Sequence, residues 1–237
     1  MGKSLIQQAR GKGGPVYRAR SFAYAGDVKM RNDPAELVSG TVTDLIKCPG
    51  HTAPLMEVKY EDNVTALLPA PEFIRVGDRV QCGKGANAEN GCATQLRYLP
   101  EGTQVYNIEA QPGDGGRFCR TGGSAARLIA KTDTYALILL PSKKEKMFNL
   151  DCRALVGIVS GGGRLEKPML KAGNMHHNRR IKNKRWPNPS GAAQNAVDHP
   201  FGNKRTSRKA KQKAASHFAP PGRKVGKLWP RKTGRGK

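Results

Sequence analysis

The sequence predicts an all-β core of two small barrels in tandem, flanked at both ends by extended basic arms. Three observations lead there. Short runs of β-branched and aromatic residues alternate with turn signals through the middle of the chain. A Gly- and Asn-rich stretch, 83–91, divides those runs into two groups. The net charge lies entirely outside them. A single sandwich is the alternative architecture for the same strands.

The first 33 residues carry seven Lys and Arg against two acids, Asp27 and Asp33. Arg10, Lys12, Arg18 and Arg20 stand here among Gly11, Gly13 and Gly14. The centre follows with strands expected at 37–46, 55–60, 64–68 and 79–81, then at 104–109, 126–131, 135–140, 146–150 and 154–159. Pro49-Gly50, Glu61-Asp62-Asn63, Gly77-Asp78 and Pro112-Gly113-Asp114-Gly115-Gly116 provide turns between them. No long stretch of the centre has a helical period. Residues 34–160 hold 14 basic and 14 acidic side chains, so the centre is neutral. Closing each sheet into a barrel removes exposed edges, and small barrels are common nucleic-acid modules.

Residues 161–237 hold 21 Lys and Arg against Glu166 and Asp198 alone. The segment is rich in Gly, Pro and Asn and buries too little apolar surface to offset its ordering entropy. It is expected to be extended in water and to order against a polyanion. The whole chain carries +24 at neutral pH, which demands such a partner. No apolar run approaches the roughly 20 residues of a membrane span. The start, Met1-Gly2-Lys3-Ser4-Leu5-Ile6, has no signal-peptide pattern, so a cytoplasmic location and no membrane partner are expected.

Enzyme and metal motifs are weak. Gly222-Arg223-Lys224-Val225-Gly226-Lys227-Leu228 is one residue short between its glycines for a phosphate loop, and has Leu where a hydroxyl should hold Mg²⁺. Cys48-Pro49-Gly50-His51 supplies one ligand pair where structural zinc needs two, so no zinc site is expected. Five widely spaced cysteines do not suggest a disulfide framework. Asp198-His199 has acid–base chemistry available to it, but sits in a basic loop without an evident pocket. RNA contact suits the pattern better. Glycines beside Arg117, Arg120 and Arg164 let backbone and guanidinium approach phosphate together. Lys171, Asn174, His176, His177, Arg179, Arg180, Lys182, Lys184, Arg185, Arg205, Arg208, Arg223, Lys224, Arg231 and Lys232 extend the basic surface, and Trp186 offers a stacking face. An RNA-modifying or RNA-cleaving enzyme with His199 and Asp198 as acid–base groups, and a general nucleic-acid chaperone, are the competing readings.

The chain contains Pro112-Gly113-Asp114-Gly115-Gly116, Cys152-Arg153-Ala154-Leu155-Val156-Gly157, Gly161-Gly162-Gly163-Arg164, Lys171-Ala172-Gly173-Asn174, Arg185-Trp186-Pro187 and Asn195-Ala196-Val197-Asp198-His199-Pro200-Phe201-Gly202. In these stretches it resembles the universal large-subunit ribosomal protein L-two family, in its archaeal or eukaryotic form. The resemblance covers nearly the whole chain and departs after Gly202, where Asn203-Lys204-Arg205 stand in place of further glycines. It implies an OB-type barrel at 34–83, a linker at 84–95 and an SH3-like barrel at 96–160, between a basic arm at 1–33 and a basic extension at 161–237. It implies contact with large-subunit rRNA near the peptidyl-transferase region, through Asn195, Asp198 and His199 among others. Neighbouring ribosomal proteins and the small subunit are further implied partners. His199 then supports RNA rather than catalysing. No cofactor is expected beyond Mg²⁺ ions at the RNA interface.

Overall fold

The structure, a computed structural model, describes residues 2–31, 37–203 and 214–227. The chain divides into two compact units, one of residues 21–168 and one formed by residues 1–20 together with 169–237.

The first unit is all-β. Its strands are β1 (Val38–Ile46), β2 (Leu55–Tyr60), β3 (Thr65–Pro69), β4 (Arg79–Cys82), β5 (Ala93–Gln95), β6 (Gln104–Tyr106), β7 (Ala126–Lys131), β8 (Tyr135–Leu139), β9 (Glu145–Asn149) and β10 (Arg153–Val156). Together they form an OB-type barrel followed by an SH3-like barrel. Hydrogen bonding runs in the order β3-β2-β1-β4-β5-β10-β6-β7-β8-β9. All neighbours are antiparallel except β4 and β5, which meet in parallel at Cys82 and Ala93. Residues 93–95, read from the sequence as the end of a linker, are therefore a strand. Three residues are too few to display a period.

Curvature comes from bulges. β1 shifts register between Val42 and Asp44 against β2, and β7 shifts between Leu128 and Ala130 against β8. A bulge increases local twist and bends the strand, which lets a short sheet curl. Gly40 lets β2 side chains pack closely on β1: a Cβ there would lie 2.7 Å from the Tyr60 ring and 2.8 Å from Val58.

Two large hydrophobic cores result, beside a small third cluster of Val28, Cys48 and Leu55. One collects Val42, Met56, Val58, Leu68 and Val80; the other collects Leu96, Leu99, Ile108, Leu128, Ile138 and Phe148. β6 and β10 serve both. Tyr106 and Leu155 point into the first core, while their neighbours Val105, Ala154 and Val156 point into the second. Alternate side chains of a strand face opposite sides, so a wall shared by two cores is buried on both faces. β10 is accordingly buried at all four positions.

The second unit has little core. Among its described residues, only Leu5, Gly202 and Val225 are buried. Its described residues include two α-helices, α1 (Ile6–Arg10) and α2 (Ala172–Ile181). The sequence reading assigned no helix here. α2 lacks the apolar stripe by which such a helix is recognised, and none of its residues is buried.

Candidate nucleic-acid interface

The two units partition the charge almost completely. Residues 1–20 and 169–237 together hold 24 Lys and Arg and a single acid, Asp198. Residues 21–168 hold 18 basic and 17 acidic side chains. Nearly the entire +24 thus belongs to the core-poor unit. Asp198 lies 3.7 Å from the ammonium of Lys3.

In this unit, hydrogen bonds do the ordering. The α2 C-terminus is a Schellman turn: Lys184 N–H donates to the Arg179 carbonyl at 2.9 Å and Asn183 N–H to the Arg180 carbonyl at 3.1 Å. Asn183 takes the left-handed conformation this turn needs, φ 46°. Its side-chain amide then donates to the Arg18 carbonyl at 2.6 Å, tying the N-terminal segment to the helix end. The motif had a sequence signal, an Asn directly after a run of helix-compatible basic residues. Arg10, Lys12, Arg18, Arg20, Lys171, Asn174, His176, His177, Arg179, Arg180, Lys182, Lys184 and Arg185 are all exposed, and Trp186 is half-buried.

The Asn195–Gly202 run closes on itself. His199 and Asp198 N–H groups both donate to the Asn195 carbonyl, and Gly202 N–H donates to that of His199 at 2.9 Å. His199 Nδ1 accepts from Phe201 N–H at 3.0 Å. Its ring lies 5.0 Å from that of Phe201 and packs over Gly191, where any side chain would overlap it. The imidazole is thereby fixed as a wall of the loop. Asn195, Asp198, Arg223 and Lys224 are exposed. Arg205, Arg208, Arg231 and Lys232 lie outside the described residues.

The β-body contributes fewer of the proposed contacts. Arg117 is exposed and pairs with Asp114 at 3.2 Å. Burial pulls the Asp114 carboxyl up, but N–H groups of Gly116, Ala110 and Gln111 and the Arg117 charge outweigh it and hold the group below the ordinary carboxylate value. Arg120 is partly covered and braces the fold. Its guanidinium donates to the Val28 carbonyl at 2.8 Å and the Gly116 carbonyl at 3.2 Å. Burial, then the nearby Arg117 charge, lower its pKa. Arg164 is exposed beside three glycines that cross Gly122 and Gly123; a Cβ on Gly123 would sit 2.6 Å from Gly162 Cα.

Beneath the 112–116 loop is a buried ion pair that sequence reading missed. Glu109 Oε1 accepts from Arg153 Nη2 at 2.6 Å and Nε at 3.1 Å, and Oε2 accepts from Arg153 N–H at 2.8 Å. Oε1 also accepts from Gly115 N–H at 3.1 Å, so the pair anchors the loop that carries Arg117.

The cysteines are free and, apart from the partly covered Cys119, buried. Burial pushes Cys119 and Cys152 up to about 11. Among the described residues no three His, Cys, Asp or Glu side chains gather as a metal group. No described helix is long and apolar enough to cross a membrane.

The model of the family "Ribosomal Proteins L2, C-terminal domain" matches residues 89–219. The chain is similar over its full length to proteins named large ribosomal subunit protein uL2. It is 46% identical to that of Nanoarchaeum equitans over 238 residues, covering all of both chains. It is 43% identical to that of Natronomonas pharaonis, covering all of this chain and 98% of the relative. It is 42% identical to that of Haloarcula marismortui, covering all of this chain and 99% of the relative.

Proposed function

The chain belongs to the L2 family of large-subunit ribosomal proteins, and from that we propose that it is a non-catalytic constituent of the large subunit that binds rRNA near the peptidyl-transferase region. There it supports the RNA architecture and takes part in subunit association, beside neighbouring ribosomal proteins and in contact with the small subunit. It works in the cytoplasm, on the ribosome.

The observation that carries this reading is the charge partition. A unit with 24 basic side chains, one acid and almost no core repels itself in water. Phosphates remove that repulsion, and each neutralised phosphate releases condensed counterions. The β-body, near neutral and doubly cored, folds without RNA and provides a rigid base. No cofactor is needed; Mg²⁺ enters with the RNA. His199, held by Phe201 N–H and packed on Gly191, shapes the loop offered to RNA rather than moving protons. The RNA-contacting set is Arg10, Lys12, Arg18, Arg20, Arg117, Arg164 and the exposed cations of α2 and the segments after it, with Arg120 acting through the loop it braces.

The test is binding of the full chain to large-subunit rRNA fragments and to length-matched duplex DNA across a salt series. For roughly 8 neutralised phosphates, log affinity falls with log salt at a slope of about −6 to −7. Preference for one rRNA fragment that survives at higher salt supports the reading. Equal binding to both nucleic acids, lost together, overturns it and leaves a polycation.

A further inference from the structure

The Schellman turn after α2 builds a pocket. By reversing the chain at Asn183 it brings Lys184, Arg185 and Trp186 back beside His176 and Arg180, one helical turn apart on the same face of α2. The bond from Asn183 to the Arg18 carbonyl holds the N-terminal segment in place, so that Pro15 and Val16 close the other side. The cavity is about 320 Å³. Its lining has two chemistries. Trp186, Pro15 and Val16 are apolar; His176, Arg180, Lys184 and Arg185 are hydrogen-bond donors, three of them cations, and no carboxylate is present.

A free phosphate has no use for the apolar walls. An apolar side chain would gain nothing from three cations. A nucleotide needs both: its base presents a flat face that stacks on an indole, and its phosphate takes charged donors. Bases within a duplex are already stacked and cannot enter. On the premise that this unit binds RNA, we infer that the pocket of Trp186, His176, Arg180 and Lys184 receives one unpaired nucleotide of the RNA. The base lies against Trp186 and the phosphate among the basic side chains.

The experiment uses the full chain with a labelled single-stranded oligoribonucleotide and the same sequence as a duplex, following fluorescence anisotropy. Trp186→Ala is expected to weaken single-strand binding on the order of ten- to a hundred-fold, with the salt slope unchanged because no charge is removed. Trp186→Phe, which keeps a ring face, is expected to retain most of the affinity, and duplex binding is expected to stay as it was. Ultraviolet cross-linking of the bound oligonucleotide should leave a nucleotide adduct on the peptide containing Trp186. Unchanged single-strand binding in Trp186→Ala, or adducts confined to other segments, overturns the pocket while rRNA binding stands. Equal losses on single strand and duplex mark Trp186 as a packing residue and also overturn it. Displacement of the oligonucleotide by AMP at equal nucleotide concentration assigns the pocket to a free nucleotide instead. If the wild-type chain binds no RNA at all, the premise falls first.

Discussion

Replacing Glu109 by Gln keeps the shape of the side chain and removes its charge. In the wild type its two oxygens accept four hydrogen bonds, three from Arg153 and one from Gly115 N–H. The amide has one oxygen. Turned toward the guanidinium and Gly115, it points its NH₂ group at the Arg153 N–H; turned the other way, it points NH₂ at the guanidinium. Donor faces donor in both. Arg153, whose side chain is 2% exposed, is left as a buried cation without its anion. Breaking a buried pair in this way costs about 3–5 kcal/mol. For a body of this size, 1 kcal/mol moves the midpoint by about 2–4 °C, so Glu109→Gln should lower the β-body's melting temperature by about 6–20 °C. The assay is thermal and urea unfolding of the full chain, followed by far-ultraviolet circular dichroism and tyrosine absorption. Glu109→Leu with Arg153→Met, which removes both charges, should be more stable than Glu109→Gln. It should not reach wild type, since the Arg31 carbonyl also loses the Arg153 Nη1 donor now at 2.6 Å. A Glu109→Gln loss below about 1 kcal/mol, or a double variant no better than the single, would refute the account.

Three further outcomes are expected. Asp114 has a depressed carboxyl pKa, so its stabilisation is present above the unfolded value near ~3.9 and lost as pH falls through the lower folded one; the stability gap between wild type and Asp114→Asn, read from melting temperature against pH, should therefore narrow in acid, and a gap independent of pH would count against it. Gly123→Ala forces a methyl onto Gly162 Cα at φ +77°, and urea titration should show a loss of roughly 2–4 kcal/mol, whereas Gly173→Ala, with open space around its Cβ in α2, should leave the fold intact. Arg179→Ala with Arg180→Ala removes two exposed cations; the salt slope for rRNA should become shallower by about 1.4 to 1.8, and an unchanged slope would show that these side chains meet no phosphate.

Much of the fold was legible before any coordinates. Nine of the ten strands were visible as β-branched runs, because a half-buried strand writes its alternation into the sequence, as β7 and β8 do. β5 was not, being three residues long. The basic ends were equally plain, since charge is counted rather than folded. Helix α2 escaped because a helix that buries nothing leaves no apolar period. Arg120 reads in the sequence as a cation for RNA; its bonds to the carbonyls of Val28 and Gly116, which make it a brace as well, are not written there.

Sequence alone determined the strand pattern, the neutral centre, the two basic ends and the resemblance carried by Asn195–Gly202. Tertiary structure decided that the two ends form one unit, that β6 and β10 are walls common to two cores, and that Glu109 meets Arg153 from 44 positions away and Asn183 meets Arg18 from 165. The difference is physical. Periodicity, turn chemistry and charge density act between neighbours along the chain and can be read in order. A buried ion pair or a capping bond between distant segments exists only once loop closure and desolvation have brought its partners together, and neither residue's local sequence records the other.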